Sequence, residues 1–194
     1  MLLPVTGDHG VLLDIRYATA DNITGRPIYH RPVALLHPAA HAALLAAVAR
    51  ARPLGLKLSI FDAFRPLDAQ WALWRALPDP VFVADPRDGS GMHPRGVAVD
   101  LTLADTASGA ALDMGTGFDA ALPQSAQGSL DLPAEAIRHR ALLLGIMAAS
   151  GWAHIESEWW HYELPGQGHV PQLWAADVPE GPMDPQPNGQ PLPR

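Results

Sequence analysis

The sequence predicts a single α+β domain, an antiparallel sheet with helices packed on it. Three observations predict it. Alanine- and leucine-rich segments read as helices, segments rich in branched and aromatic residues read as strands, and a terminal pair of strands lies next to the longest helix, without internal repeat. A chain of 194 residues is long enough to bury a core without a disulfide framework. The domain is expected at residues 1–178, followed by a proline-rich tail at 179–194, "PEGPMDPQPNGQPLPR", too poor in apolar residues to fold alone and so flexible or draped over the surface.

The elements follow in order. "HPAAHAALLAAVARARP", residues 37–53, reads as a helix against the core, closed by Pro53, with His37 and His41 as cap and surface residues. "LKLSIFDAF" reads as a buried strand leading into the helix "RPLDAQWALWRALP", with Pro66 in its first turn and Arg65 exposed at the corner between them. Trp71 and Trp74 on that helix suit either an interface or plain core. "DPRDGSGMHPRG" is a turn-rich loop, and "VAVDLTL" after it alternates as a strand does. "LPAEAIRHRALLLGIMAASG", residues 132–151, is the clearest helix; it ends at Gly151 and carries His139 and the neighbouring arginines on its polar side. "WAHIESEWWHYEL" reads as one or two strands.

Composition excludes several functions. With no cysteine, thiol catalysis, thiolate metal sites and disulfides are absent, so any metal must be held by imidazole and carboxylate. A net charge of -7 and scattered arginines give no basic stripe for nucleic acid. No apolar run reaches the roughly 20 residues that span a bilayer, so no membrane partner is expected. The N-terminus lacks the pattern of a secretory signal, which makes the cytoplasm the expected location. Oligomeric state is left open.

Two stretches carry candidate chemistry. His93 lies in a glycine- and proline-rich loop, and seven positions later Asp100 interrupts an apolar strand, where a carboxylate is costly unless paired. A bland alternative has Asp100 accepting hydrogen bonds from a neighbouring loop. In "ESEWWHYELP", Glu158 and His161 stand three apart, a spacing that strand alternation sends to opposite faces, so a shared site demands a bulge, a strand end or strong twist. The alternative there is aromatic packing by Trp159, Trp160 and Tyr162 with solvated acids. Two histidines and one aspartate make the three protein ligands of a catalytic zinc whose fourth position is left to water or substrate. A glutamate then remains for proton transfer, and Arg65 is a cation suited to a developing oxyanion. Glu156 and Glu163 are rivals of Glu158. Asp113 and Asp119 in "LDMGTGFD" read as turn formers, with support of a ligand histidine as the alternative.

"RYATADNITGRPIY", "DAFRPLDAQ", "GMHPRGVAVDLTL", "LDMGTGFD" and "EWWHYEL", in this order, resemble the D-alanyl-D-alanine dipeptidase family, the VanX-like branch of the zinc D,D-peptidases, over about residues 15 to 165. The resemblance implies one zinc ion in a central cleft, held by His93, Asp100 and His161. It implies Glu158 as general base and acid, Arg65 as the residue that stabilises the tetrahedral intermediate, and Tyr17 near a small pocket for D-alanyl-D-alanine. Many relatives carry serine two residues before the first histidine ligand. Here that position is Gly91, with Ser90 one step earlier as the candidate substrate contact, and Pro94 stiffens the loop after His93. The implied activity is hydrolysis of D-alanyl-D-alanine by metal-activated water. The alternatives are D,D-carboxypeptidase or L-alanyl-D-glutamate endopeptidase action on muropeptides and, from another class, a non-catalytic binding module.

Overall fold

A computed structural model describes residues 1–184. The chain runs β1 (Leu3–Val5), β2 (Leu12–Leu13), β3 (Ala34–Leu36), α1 (Pro38–Ala51), β4 (Leu56–Asp62), α2 (Leu67–Ala76), β5 (Ala98–Asp105), α3 (Ala134–Ala148), β6 (Ala153–Ile155) and β7 (Glu158–Glu163). One sheet has the order β2-β4-β5-β7-β6, and β1 pairs with β3 in a second, two-stranded sheet. The α+β expectation holds, with all pairs antiparallel except the parallel edge pair β2–β4. Strands β1, β2 and β3 span only two or three residues, too few to show a period in the sequence. Among the described residues, no helix is long and apolar enough to cross a membrane.

Alternation along the central strands separates core from chemistry. Directly opposed residues share a face of a sheet, so Leu58 with Leu103, Ile60 with Leu101 and Val99 with Tyr162 form one apolar face. These side chains belong to one core with Leu44 and Ala47 of α1 and Leu143 and Met147 of α3. Ser59 with Thr102 and Asp100 with His161 fall on the other face, and all four are also buried. Helix α1 buries Ala40, Leu44, Ala47 and Ala51 at spacings of three and four, and His37 caps it by accepting from Ala39 N at 3.3 Å. Trp74 is half-buried against the core, with the Arg87 guanidinium 5.4 Å from its ring centre.

Three features differ from expectation. Pro66 precedes α2 with ψ 154° and so sits at its cap, where a missing N–H costs nothing. The corner does not expose Arg65. It turns the side chain inward to 7 % exposure, because buried acceptors wait there. On α3, Arg138 is exposed but Arg140 is not: position 140 falls between Ala136 and Leu143 on the buried stripe. Its guanidinium donates to Met114 O at 2.7 Å, Ala126 O at 2.8 Å and Thr116 Oγ1 at 3.3 Å, so carbonyls of the β5–α3 connection replace water.

The first residues after 178 pack on the domain. Pro182 O accepts from His30 N and Arg31 N at 2.8 and 3.1 Å, and Met183 joins the core. Residues 185–194, the rest of the expected tail, lie outside the described residues.

The β5–α3 connection holds two aspartates with different roles. Asp113 accepts from Gly115 N at 2.8 Å, as a turn former does. Asp119 is not a simple turn former. It adopts φ 57°, and its carboxylate accepts from Tyr17 OH and from Ile23 N, each at 3.1 Å. Burial raises its pKa to about 6, against the opposing charge of Arg65. A carboxylate whose pKa is raised by folding gives stability that is complete below its unfolded pKa and is lost as pH rises through about 6. Asparagine does not ionise and tolerates the left-handed backbone. Asp119→Asn should therefore raise Tm relative to wild type at about pH 8 and lose that margin at about pH 4. Thermal denaturation across this range checks it, and a margin independent of pH would refute it.

Candidate active site

A bulge in β4 starts the site. Ile60 lies opposite Leu101 but Asp62 lies opposite Asp100, so β4 advances two residues while β5 steps back one. Two buried carboxylates thereby face each other. Arg65 joins them, Nε donating to Asp62 Oδ2 at 2.8 Å and Nη2 to Asp100 Oδ2 at 3.1 Å, while Nη1 donates to Gln70 Oε1 at 3.1 Å. Tyr29 OH donates to the other oxygen of Asp62 at 2.8 Å. Burial would lower the Arg65 pKa, but Tyr17, Asp62 and Asp100 raise it well above the usual value, so its charge is secure.

Beside this pair lie the two histidines. His93 Nδ1 is 2.7 Å from Ala63 O, and a carbonyl only accepts, so Nδ1 donates there and Nε2 is the ring nitrogen turned to the site. Nε2 points at Asp100 Oδ1 (3.2 Å) and His161 Nδ1 (3.1 Å), and His161 Nδ1 lies 3.0 Å from the same oxygen. Donor atoms of His93, Asp100 and His161 all lie within 4.8 Å of one another. Burial disfavours charge on His161, but the neighbouring carboxylates of Asp100 and Glu163 raise its pKa to about 10. Burial likewise opposes ionisation of Asp100, yet the His93 charge and both histidine hydrogen bonds hold its pKa well below the carboxylate range. Positive charge is favoured at this point. Two imidazole nitrogens and one carboxylate oxygen that converge where a cation is favoured fit the donor set of a catalytic zinc.

The third contribution comes from the β6–β7 hairpin. His154 opposes Tyr162 while Ile155 opposes Glu158, so β7 covers four residues against one of β6. This irregularity meets the demand set by the three-residue spacing, and Glu158 and His161 line the same cavity. Burial raises the Glu158 pKa to about 8, opposed by His161 and assisted by Asp100. The rivals separate. Glu156 is exposed and bonds away from the cavity, accepting from Gly128 N at 3.0 Å. Glu163 lies 3.6 Å from His161 Nε2, and that partner lowers its pKa. It lines the cavity too, but as the partner of a histidine nitrogen rather than at the position of Glu158. Trp159, Trp160 and Tyr162 are buried, as the packing role requires.

The cavity, about 330 Å³, is walled by Arg65, His93, Glu158 and His161, with Ser90 and Gly91 at its side. A Cβ at Gly91 would meet Pro94 Cδ at 3.4 Å and Gln172 Nε2 at 3.5 Å, so a side chain has room there. Tyr17 lies behind the wall, its ring centre 4.9 Å from the Arg65 guanidinium carbon and its hydroxyl on Asp119. Asp62 and Gln70 were not singled out in the sequence. Asp62 had a visible signal, a carboxylate ending an apolar strand as Asp100 interrupts one, and Gln70 another, an amide on the apolar stripe of a helix.

Comparison with known proteins places the chain in a family. The chain is 47% identical over 161 residues to the D-alanyl-D-alanine dipeptidase of Escherichia coli (strain K12), covering 83% of this chain and 82% of that protein. It is 35% identical over 183 residues to the enzyme of the same name from Streptomyces coelicolor, covering 82% and 89%. Against that of Enterococcus faecalis (strain ATCC 700802 / V583) it is 30% identical over 175 residues, covering 80% and 87%. The family model described as D-ala-D-ala dipeptidase matches residues 5–179, and the chain belongs to this Peptidase M15 family.

Proposed function

We propose that this chain is a zinc-dependent dipeptidase that hydrolyses D-alanyl-D-alanine, or a close D,D-dipeptide, to free D-amino acids in the cytoplasm. The observation that carries the proposal is the convergence of a His-Asp-His donor set, a buried glutamate and a buried arginine on one small cavity. At about 330 Å³ it is near the lower end of the roughly 300–1,000 Å³ typical of small-molecule sites, which suits a dipeptide.

His93 through Nε2, Asp100, and His161 through Nδ1 would hold the zinc ion, whose chemistry when bound is to make water more acidic and a carbonyl more electrophilic. Glu158 takes the proton of the attacking water and returns it to the departing amine. A carboxyl raised by burial is a stronger base than a free one and still gives the proton back. Arg65 opposes the negative charge that grows on the carbonyl oxygen. Three of its five N–H groups bind protein acceptors, which leaves two for substrate. Asp62 and Gln70 keep the guanidinium from swinging, so little reorganisation is needed as charge develops. A binding module would need neither this base nor this cation.

Incubation with D-Ala-D-Ala, L-Ala-L-Ala and a pentapeptide ending in D-Ala-D-Ala tests the proposal. Alanine should be released from the D,D-dipeptide, stop with a chelator and resume with zinc. No release with zinc present, or release that survives both metal removal and Glu158→Ala, would sink it. Release from the pentapeptide alone would replace it with a carboxypeptidase.

Two further outcomes are expected. Glu158→Ala should lower kcat by about 10²–10⁴-fold, the usual contribution of a general base, and Arg65→Lys by about 10²–10³-fold, as for loss of an oxyanion donor. Steady-state kinetics at matched zinc content checks both. The base works deprotonated, and burial raises its pKa, so the acidic limb of kcat/KM should lie above the ordinary carboxylate value of about 4.3. A pH–rate profile with its limb at that ordinary value would remove Glu158 from the role.

A further inference from the structure

Gln70 is a polar residue where α2 presents its apolar stripe, between Leu67 and Leu73, and it is 2 % exposed. A buried amide is costly unless both ends are bonded, and here both are. Oε1 accepts from Arg65 Nη1 at 3.1 Å, and Nε2 donates to Ala84 O at 2.8 Å. A guanidinium only donates and a carbonyl only accepts, so one orientation of the amide satisfies both partners, and the flipped one opposes like dipoles at each end.

The two partners do different work. Arg65 is the cation of the cavity. Ala84 belongs to the connection between α2 and His93, which lines one side of the cavity through Ala84, Ser90, Gly91 and Met92. Much of that connection is held by local hydrogen bonds, such as Val83 N to Asp79 O and Ser90 N to Asp88 Oδ1. Its later half is tied to the body at Gly89 O by Arg95 and at Gly91 O by Gln172. The bond from Gln70 ties the earlier half, at Ala84.

We propose that Gln70 is a positioning residue that couples the Arg65 guanidinium to the cavity rim, one end of its amide serving the stabilisation of charge and the other the fit of substrate. The proposal rests on the role given to Arg65 above. Its two halves separate chemically. In Gln70→Glu a carboxylate still accepts from Arg65 but has no N–H for Ala84 O, whereas Gln70→Met has a similar length and makes neither bond.

The test is steady-state kinetics of zinc-loaded wild type, Gln70→Met and Gln70→Glu on D-Ala-D-Ala, with near-ultraviolet circular dichroism to compare folding. In parallel, ¹⁵N-edited spectra follow the Arg65 Nε–H. Gln70→Met should lower kcat by roughly 10- to 100-fold, the cost of one hydrogen bond to a charged group, and raise KM. Gln70→Glu should recover kcat to within about tenfold of wild type while KM stays raised. The Arg65 Nε–H signal should move and broaden in Gln70→Met and stay sharp in Gln70→Glu. Unchanged kinetics in folded Gln70→Met, or equal loss of kcat in both variants, overturns the proposal. If Gln70→Met does not fold, the split between kcat and KM in Gln70→Glu decides; if neither folds, Gln70 is structural and the proposal fails. An inactive wild type would defeat the dipeptidase reading instead, and the Arg65 signal would still report whether Gln70 holds the guanidinium.

Discussion

The site depends on one interaction, the Arg65 guanidinium between the carboxylates of Asp62 and Asp100. All three are buried, and an unpaired charge in that position would cost several kcal/mol. Asp62 ends β4, Asp100 lies in β5, and Arg65 occupies the corner into α2, so the ion pairs fix two strands and a helix relative to one another. Two anions against one cation also leave a negative balance. The histidines approach from the other side of Asp100, and that balance would favour a cation at their nitrogens. The same arginine therefore closes the fold and leaves the charge that a metal needs.

This arrangement would not arise in a regular sheet. A strict pleat would carry Asp62 out of register with Asp100 and place Glu158 on the face away from His161. The register shift at Ile60/Asp62 corrects the first, and that at His154/Ile155 corrects the second. Both interrupt the hydrogen-bond ladder. They fall at the ends of β4 and β7 nearest the site, which leaves the apolar face of Leu58, Ile60, Leu101 and Leu103 in regular register for the core.

These irregularities mark the limit of what could be read beforehand. Helices α1 and α3 and strands β4, β5 and β7 were legible because their apolar patterns are long enough to impose a period. Asp100 and His161 were legible because a carboxylate or imidazole among branched and aromatic residues demands a reason. Arg140 was misplaced for the converse cause: a single sequence shows an arginine in a polar cluster, and only the folded chain shows the carbonyls of Met114 and Ala126 that accept its protons. The burial of Arg65 was hidden in a similar way, since two of its three acceptors, Gln70 and Asp100, lie five and thirty-five residues away. Polar residues buried by distant partners leave a weak local signal.

Three glutamates on one hairpin show how far environment decides chemistry. Glu156 sits in its turn, bonded to the Gly128 amide and open to water. Glu163, half-buried, meets the far nitrogen of His161, which stabilises its anion and lowers its pKa. Glu158 is the one that burial and the nearby Asp100 and Asp119 drive toward the neutral form, with His161 and Arg65 in opposition. Its charge is thus held near balance between two opposing sets of neighbours. A carboxyl in that state gains most from accepting a proton and loses least on giving it back, which is the property proton transfer at a peptide bond requires. The stretch from 156 to 163 supplies three identical side chains; the register shift brings Glu158 to the cavity that Glu163 also lines, and their different neighbours give that property to Glu158.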